Sequence, residues 1–316
     1  MGRMNGVEPV AQVFLGAGVT TAFHPFSYTK TLVQLGYEPL PPVPTTNIFG
    51  KKVLAYPNVF QYLGHIRKVD GFVGMYRGLF PRLICGAVGS FVTNSCQVKL
   101  RTCKCLSTGK EGAEGEDTEE EEEEEEDGMK KMLKQTTVEM LSRCAGVIAS
   151  HPFHVIMVRS MAQFVGRETA YDTVLSSVRE IYNKDGVLGF FVAIVPRLVC
   201  EVLTVWLANL MAYTLNEYVV PLTEGVDTRH YTSALCSLAV TQVTYPLNLI
   251  ANIMAVNNSG LAAGSAPHMD NYGDWMGCCR ELTRQHQLKR GSSLFWRYYK
   301  GPVITLTDGG LMPMYQ

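Results

Sequence analysis

Residues 70–83, DGFVGMYRGLFPRL, return without a gap as residues 185–198, DGVLGFFVAIVPRL. The copies share Asp-Gly at the start, Gly74 with Gly189, the aromatic pair Tyr76 and Phe191, and the closing Pro-Arg-Leu, at a period of 115 residues. Such a repeat constrains the fold before any site is considered, because each copy must build the same supersecondary unit. A weaker third copy, residues 291–297 (GSSLFWR), keeps the glycine, an aromatic at Trp296 and a basic residue, with Arg290 where the others carry aspartate. Upstream of each copy a proline interrupts an apolar run: His24-Pro25-Phe26, His151-Pro152-Phe153 and Tyr245-Pro246-Leu247. Each unit reads as an apolar helix broken by proline, a polar connection carrying Asp-Gly and an aromatic, then a second apolar helix beginning near Pro-Arg-Leu.

This pattern resembles the mitochondrial carrier signature, P-x-D/E-x-x-K/R-x-K/R followed by D/E-G-x-x-x-x-Y/W/F-K/R-G. More closely, residues 36–42 (GYEPLPP) with 47–50 (NIFG), then 151–156 (HPFHVI), 163–168 (QFVGRE) and 254–258 (MAVNN), are similar to the mitochondrial carrier homolog family. The likeness runs over about residues 10–300. It implies an all-α membrane protein built as a carrier-like, three-fold repeat bundle, a metazoan multi-pass member in the mitochondrial outer membrane.

The composition, 47% hydrophobic and 18% charged over 316 residues, fits either a large soluble domain or a modest membrane bundle. The net charge of -1 hides an asymmetry, since residues 111–127 hold 13 of the 29 acidic residues and leave the rest strongly basic. Like charges at that density repel and bury nothing, so residues 105–134 are predicted to be a disordered acidic loop. The nine cysteines lie mostly in apolar runs, and neither Cys103-x-Cys105 nor Cys278-Cys279 has zinc-site spacing. No metal and no cofactor is expected, and a reducing compartment fits better than a disulfide framework. The opening MGRMNGVEPVAQ shows neither a secretory leader nor an Arg-rich presequence, so targeting is expected to be internal.

Repeat 1 is placed at residues 1–104, with spans at about 10–36 and 78–99. Repeat 2 takes 135–220, with spans at about 137–164 and 193–218, and repeat 3 takes 221–300, with a span at about 231–256 and a tail over 301–316. An amphipathic segment is expected near 56–69. In the first span Thr20, Ser27, Thr31 and Gln34 share one arc, with His24 and Lys30 at its edges. A cation in a spanning helix costs about 2.5–3.5 kcal/mol on insertion scales, so Lys30 needs a partner, water or a purpose. The second span aligns Arg82, Gly86, Gly89, Thr93 and Gln97, where small residues permit close helix contact. The third aligns Arg143, Ser150 and His154, the fourth sets Arg197 and Glu201 four apart so that they can pair with each other, and the fifth aligns Thr241, Thr244, Asn248 and Asn252. After Trp296 only residues 303–306 are apolar, too few to cross about 30 Å of hydrocarbon, so five spans and a vacant sixth place are predicted.

A carrier's gate pairs the acid of the proline motif with a base of the neighbouring repeat. Here the acid positions hold Ser27, His154 and Asn248, and the base positions Lys30, Met157 and Ala251. With no acid left, solute transport by alternating access becomes the least favoured reading. Polar stripes facing a bundle with a missing wall would form a lateral hydrophilic groove, carrying Lys30, Ser27, Gln34, Arg82, Arg143, His154, Arg197, Glu201, Asn248 and Asn252. The resemblance implies an insertase for tail-anchored and other α-helical membrane proteins, in contact with membrane lipids and with apoptotic regulators as further partners. A lipid scramblase using the same groove and a docking receptor for apoptotic or metabolic regulators are the alternatives. Neither a phosphate loop, a nucleophile elbow nor a basic aromatic patch for nucleic acid occurs, so no enzyme and no nucleic-acid partner is expected.

Overall fold

A computed structural model describes residues 7–46, 50–102, 120–218, 226–299, 301, 303–305 and 311–313. Its helices are α1 (Val7–Ala22), α2 (His24–Leu35), α3 (Val59–Gly74), α4 (Leu79–Thr102), α5 (Glu120–Ala162), α6 (Val174–Asp185), α7 (Ile194–Tyr218), α8 (Val226–Val256) and α9 (Trp275–Arg284). Two antiparallel hairpins complete it, β1 (Val43–Thr46) with β2 (Lys52–Ala55) and β3 (Val303–Thr305) with β4 (Leu311–Pro313). Among the described residues three segments are long and apolar enough to cross a membrane, at Gly128–Ala162, Val187–Asn216 and Thr232–Val256.

The first span breaks at Phe23, one residue before α2 takes Pro25 into its first turn, where proline's missing N–H is harmless. The expected breaks at the other prolines do not occur: Pro152 lies inside α5 and Pro246 inside α8. Both helices have long flanking turns that hold the backbone where one hydrogen bond is lost. The predicted disordered loop is corrected over part of its length as well, because α5 begins at Glu120. Glutamate is a good helix former, propagation from an existing helix avoids the cost of nucleation, and acids favour a helix N-terminus. The rest of that stretch, with Cys103 and Cys105, lies outside the described residues.

The chain divides into two compact units. One comprises Met1–Leu83, Phe153–Val192 and Asn252–Gln316; the other comprises Ile84–Pro152 and Ala193–Ala251.

The core of the first unit joins α2, α3 and the end of α5 through Tyr28, Leu32, Val33, Tyr62, Ile66, Met161 and Phe164. The amphipathic α3 is capped by Asn58 and Gln61, which bond to each other's backbone N–H, and it buries Val59, Tyr62, Leu63 and Ile66. One period later α6 is capped by Thr173 and buries Ser177 and Ile181, and α9, capped by Asp274, buries Cys278 and Leu282. Burial pushes the Cys278 thiol up to about 12, so it serves as an inert core residue.

The repeated Asp-Gly has one physical cause. Gly71 (φ 74°, ψ −174°) and Gly186 (φ 66°, ψ −158°) occupy a region essentially closed to other residues. The turn folds back so tightly that a Cβ on Gly74 would lie 2.2 Å from Asp70 Cβ, and one on Gly189 2.4 Å from Asp185 Cβ. Asp70 then pairs with Arg77 at 3.3 Å, and Asp185 with Arg159 at 2.9 Å. Arg159 is 1% exposed and also donates to the Ala255 carbonyl at 2.9 Å, tying α5 to α8.

Where the repeat pattern calls for a sixth span, the described residues form the β3–β4 hairpin. The segment before it is fastened to β2, with the Tyr56 N–H donating to the Arg297 carbonyl and the Tyr299 N–H to the Leu54 carbonyl, each at 2.8 Å. Arg297 turns inward to pair with Glu38 and to lie over the rings of Tyr56 and Tyr62. Arg290, which replaces the repeat's aspartate, caps the end of α2 by donating to the Gln34 carbonyl.

Candidate functional site

Within the second unit α4, α5 and α7 each turn one polar face to a common cavity of about 510 Å³. The face of α4 holds Gly86, Gly89, Thr93 and Gln97, that of α5 Glu139, Arg143, Gly146 and Ser150, and that of α7 Arg197 and Glu201. These are the three-, four- and seven-residue intervals that put side chains above one another on a helix. Small residues set the approach of α4 to α5: a Cβ on Gly146 would fall 2.8 Å from the Gly89 carbonyl oxygen and 2.0 Å from Thr93 Oγ1. Apolar residues point the other way. On α7, Leu203, Leu207 and Leu210 are exposed, roughly opposite Arg197 and Glu201, as lipid-facing side chains of a span should be.

Arg143 is the centre of the polar lining. Its guanidinium donates to Glu139 Oε1 from Nε at 3.0 Å and reaches the same oxygen from Nη2 at 2.9 Å, while Nη1 donates to Glu201 Oε1 at 3.2 Å. Asn209 Nδ2 donates to the other Glu139 oxygen at 3.0 Å and to Thr136 Oγ1 at 3.2 Å. Arg197 Nη1 lies 3.3 Å from His151 Nδ1. One cation is thus forked between carboxylates on two helices, and its side chain remains 46% exposed. A lining of this kind offers hydrogen-bond donors and acceptors of both signs to a visiting polar group.

A family model described as "Mitochondrial carrier protein" matches residues 129–220, which span α5 to α7. Over nearly the whole chain it is similar to "Mitochondrial carrier homolog 2" of Homo sapiens, 40% identical over 296 residues, and of Bos taurus, 38% identical over 294; each alignment covers 92% of this chain and 94% of the relative. It is also 39% identical over 304 residues to "Mitochondrial carrier homolog 1" of Mus musculus, covering 90% of this chain and 75% of that relative. The chain belongs to the mitochondrial carrier homolog family. It is a mitochondrial membrane protein with a carrier-like, helical fold.

For this carrier homolog the ten residues predicted to line one groove are divided between the two units. Arg143, Arg197 and Glu201 line the cavity. Asn248 is exposed on α8 in the same unit. Lys30, Ser27, Arg82 and His154 belong to the other unit and are half-buried there. Gln34 and Asn252 also belong to that unit, but they are buried and use their amides on each other, Asn252 Nδ2 donating to Gln34 Oε1 at 2.8 Å. They act as a tie between α2 and α8 and are removed from the set of accessible lining residues. The pairing of Arg197 with Glu201 that their spacing permits is not formed, because Glu201 has Arg143 and Arg197 has His151 on a neighbouring helix. Sequence reasoning missed Glu139 and Asn209. The signal for Glu139 was present: an acid four residues before Arg143 inside an apolar span needs a reason to be there.

Proposed function

We propose that the protein is an insertase of the mitochondrial outer membrane, which helps tail-anchored and other α-helical proteins enter the bilayer without covalent chemistry or a cofactor. The observation that carries this reading is the charge-paired cavity held among helices whose other faces are apolar. A charged residue crossing the bilayer centre costs about 2.5–3.5 kcal/mol on insertion scales. Hydrogen-bond partners that removed half of that cost would speed passage about tenfold. The gate residues of a carrier are replaced by Ser27, His154 and Asn248, which supports conversion of a carrier bundle to a role other than solute exchange.

The test is reconstitution of the purified protein in liposomes with a tail-anchored client. Insertion above that of empty vesicles is expected, and equal insertion would refute the proposal. A second reading has one observation in its favour, because arginines and carboxylates side by side match a zwitterionic phospholipid headgroup. Dithionite quenching of a fluorescent lipid in the same vesicles separates lipid scrambling from protein insertion.

A further inference from the structure

The face of α1 described toward its end carries Leu15 and Val19, and Phe23 follows four residues later at the helix break; all three are exposed. A stripe of that composition on the first helix of a membrane bundle faces lipid. It does not stop at the helix break. Phe23 lies 6.3 Å from Phe26, ring to ring; Phe26 meets Phe60 edge-on at 6.0 Å, Phe60 lies 6.2 Å from Phe295, and Phe295 lies 6.3 Å from Trp296. Phe60, at the start of α3, is 59% exposed, Phe295 54% and Trp296 71%. These aromatics are outward because the opposite sides of their elements are committed inward: α3 buries Val59, Tyr62, Leu63 and Ile66, and Arg297 turns to Glu38.

We propose that Phe60, Phe295 and Trp296 form a docking surface for the interfacial zone of the bilayer, so that the segment following α9 lies on the membrane as an anchor. Continuity with the stripe of α1 selects lipid as the occupant over a protein partner. The backbone selects the depth. Residues 293–299 are non-helical and bridge β2 only through residues 297–299. Irregular backbone facing lipid is excluded from hydrocarbon, whereas tryptophan and other aromatics concentrate at the headgroup level.

The experiment uses Trp206→Phe/Trp275→Phe protein, which keeps Trp296 as its single tryptophan, in phosphatidylcholine liposomes brominated either near the carbonyls or near the chain ends. Shallow bromine should quench Trp296 about twofold more strongly than deep bromine, and acrylamide should reach it poorly. Free quenching by acrylamide with no response to bromine would put the segment in water. Silence toward both reagents would mean that protein covers it, and stronger quenching by deep bromine would put it in the hydrocarbon; each of the three overturns the proposal. If the double variant fails to fold, wild-type protein and Trp296→Phe are compared, and the difference in quenching reports Trp296 alone with the same outcomes.

Discussion

At the scale of single residues, the repeat is held by backbone conformations that only certain side chains tolerate. Gly78 (φ 80°) and Ala193 (φ 64°) occupy the same place in the two copies, directly before the Pro-Arg-Leu helices. Alanine disfavours this left-handed region by about 1–2 kcal/mol, while glycine adds up to about 1 kcal/mol of chain entropy to the unfolded state. Ala193→Gly should therefore leave thermal stability in detergent unchanged or slightly raised, whereas Gly186→Ala should lower it by about 1–3 kcal/mol. A second residue-scale case is Glu38. Burial pushes its carboxyl above the ordinary carboxylate range even with Arg297 beside it. A raised folded-state value means that its contribution is fully present below the unfolded value and is lost as pH rises through the folded one. Melting of wild type relative to Glu38→Gln should accordingly decline from acid toward neutral pH. Arg297→Met leaves the carboxylate buried without its cation and should cost about 3–5 kcal/mol at neutral pH, and less in acid.

At the scale of elements, the contacts that matter are chosen between helices. Arg143 and Glu201 are both partly exposed, and exposed ion pairs contribute little to stability. Glu201→Lys should hence reduce client insertion by more than it reduces protein abundance, measured side by side in reconstituted vesicles and by immunoblot; equal losses would assign the pair to folding alone. Three of the five expected spans coincide with segments apolar enough to cross a membrane, because apolar length is a local property, and the polar faces of α4 and α5 followed from helical spacing. Partner choice was not. Arg197 and Glu201 sit four apart, which permits a pair, but whether a neighbouring helix offers a better-placed partner is decided by packing that spacing does not encode. Arg159 escaped notice for the same reason, since its partners Asp185 and Ala255 are distant in sequence. The short α6 and α9 carry their signals mainly in the caps Thr173 and Asp274, and the helical acid run from Glu120 shows that charge density alone does not forbid a helix attached to a longer one.

At the scale of the whole molecule, three carrier-like repeats keep their turns and amphipathic helices, while the acids that would run an alternating gate are gone and only Lys30 remains of its bases. The polar lining around Arg143 lies on helices apolar enough to cross a membrane. Such a lining is costly in a span unless something polar uses it, and the proposed user is the flank of an incoming helix. The most direct measurement places a photocrosslinker at Gln97, in the lining of the cavity, and separately at Leu210, on the lipid-facing side of α7, while a tail-anchored client is inserting into vesicles. Adducts are expected between Gln97 and the polar flank of the client, with Leu210 capturing lipid. Client adducts of equal yield from both positions, or none from Gln97, would contradict it.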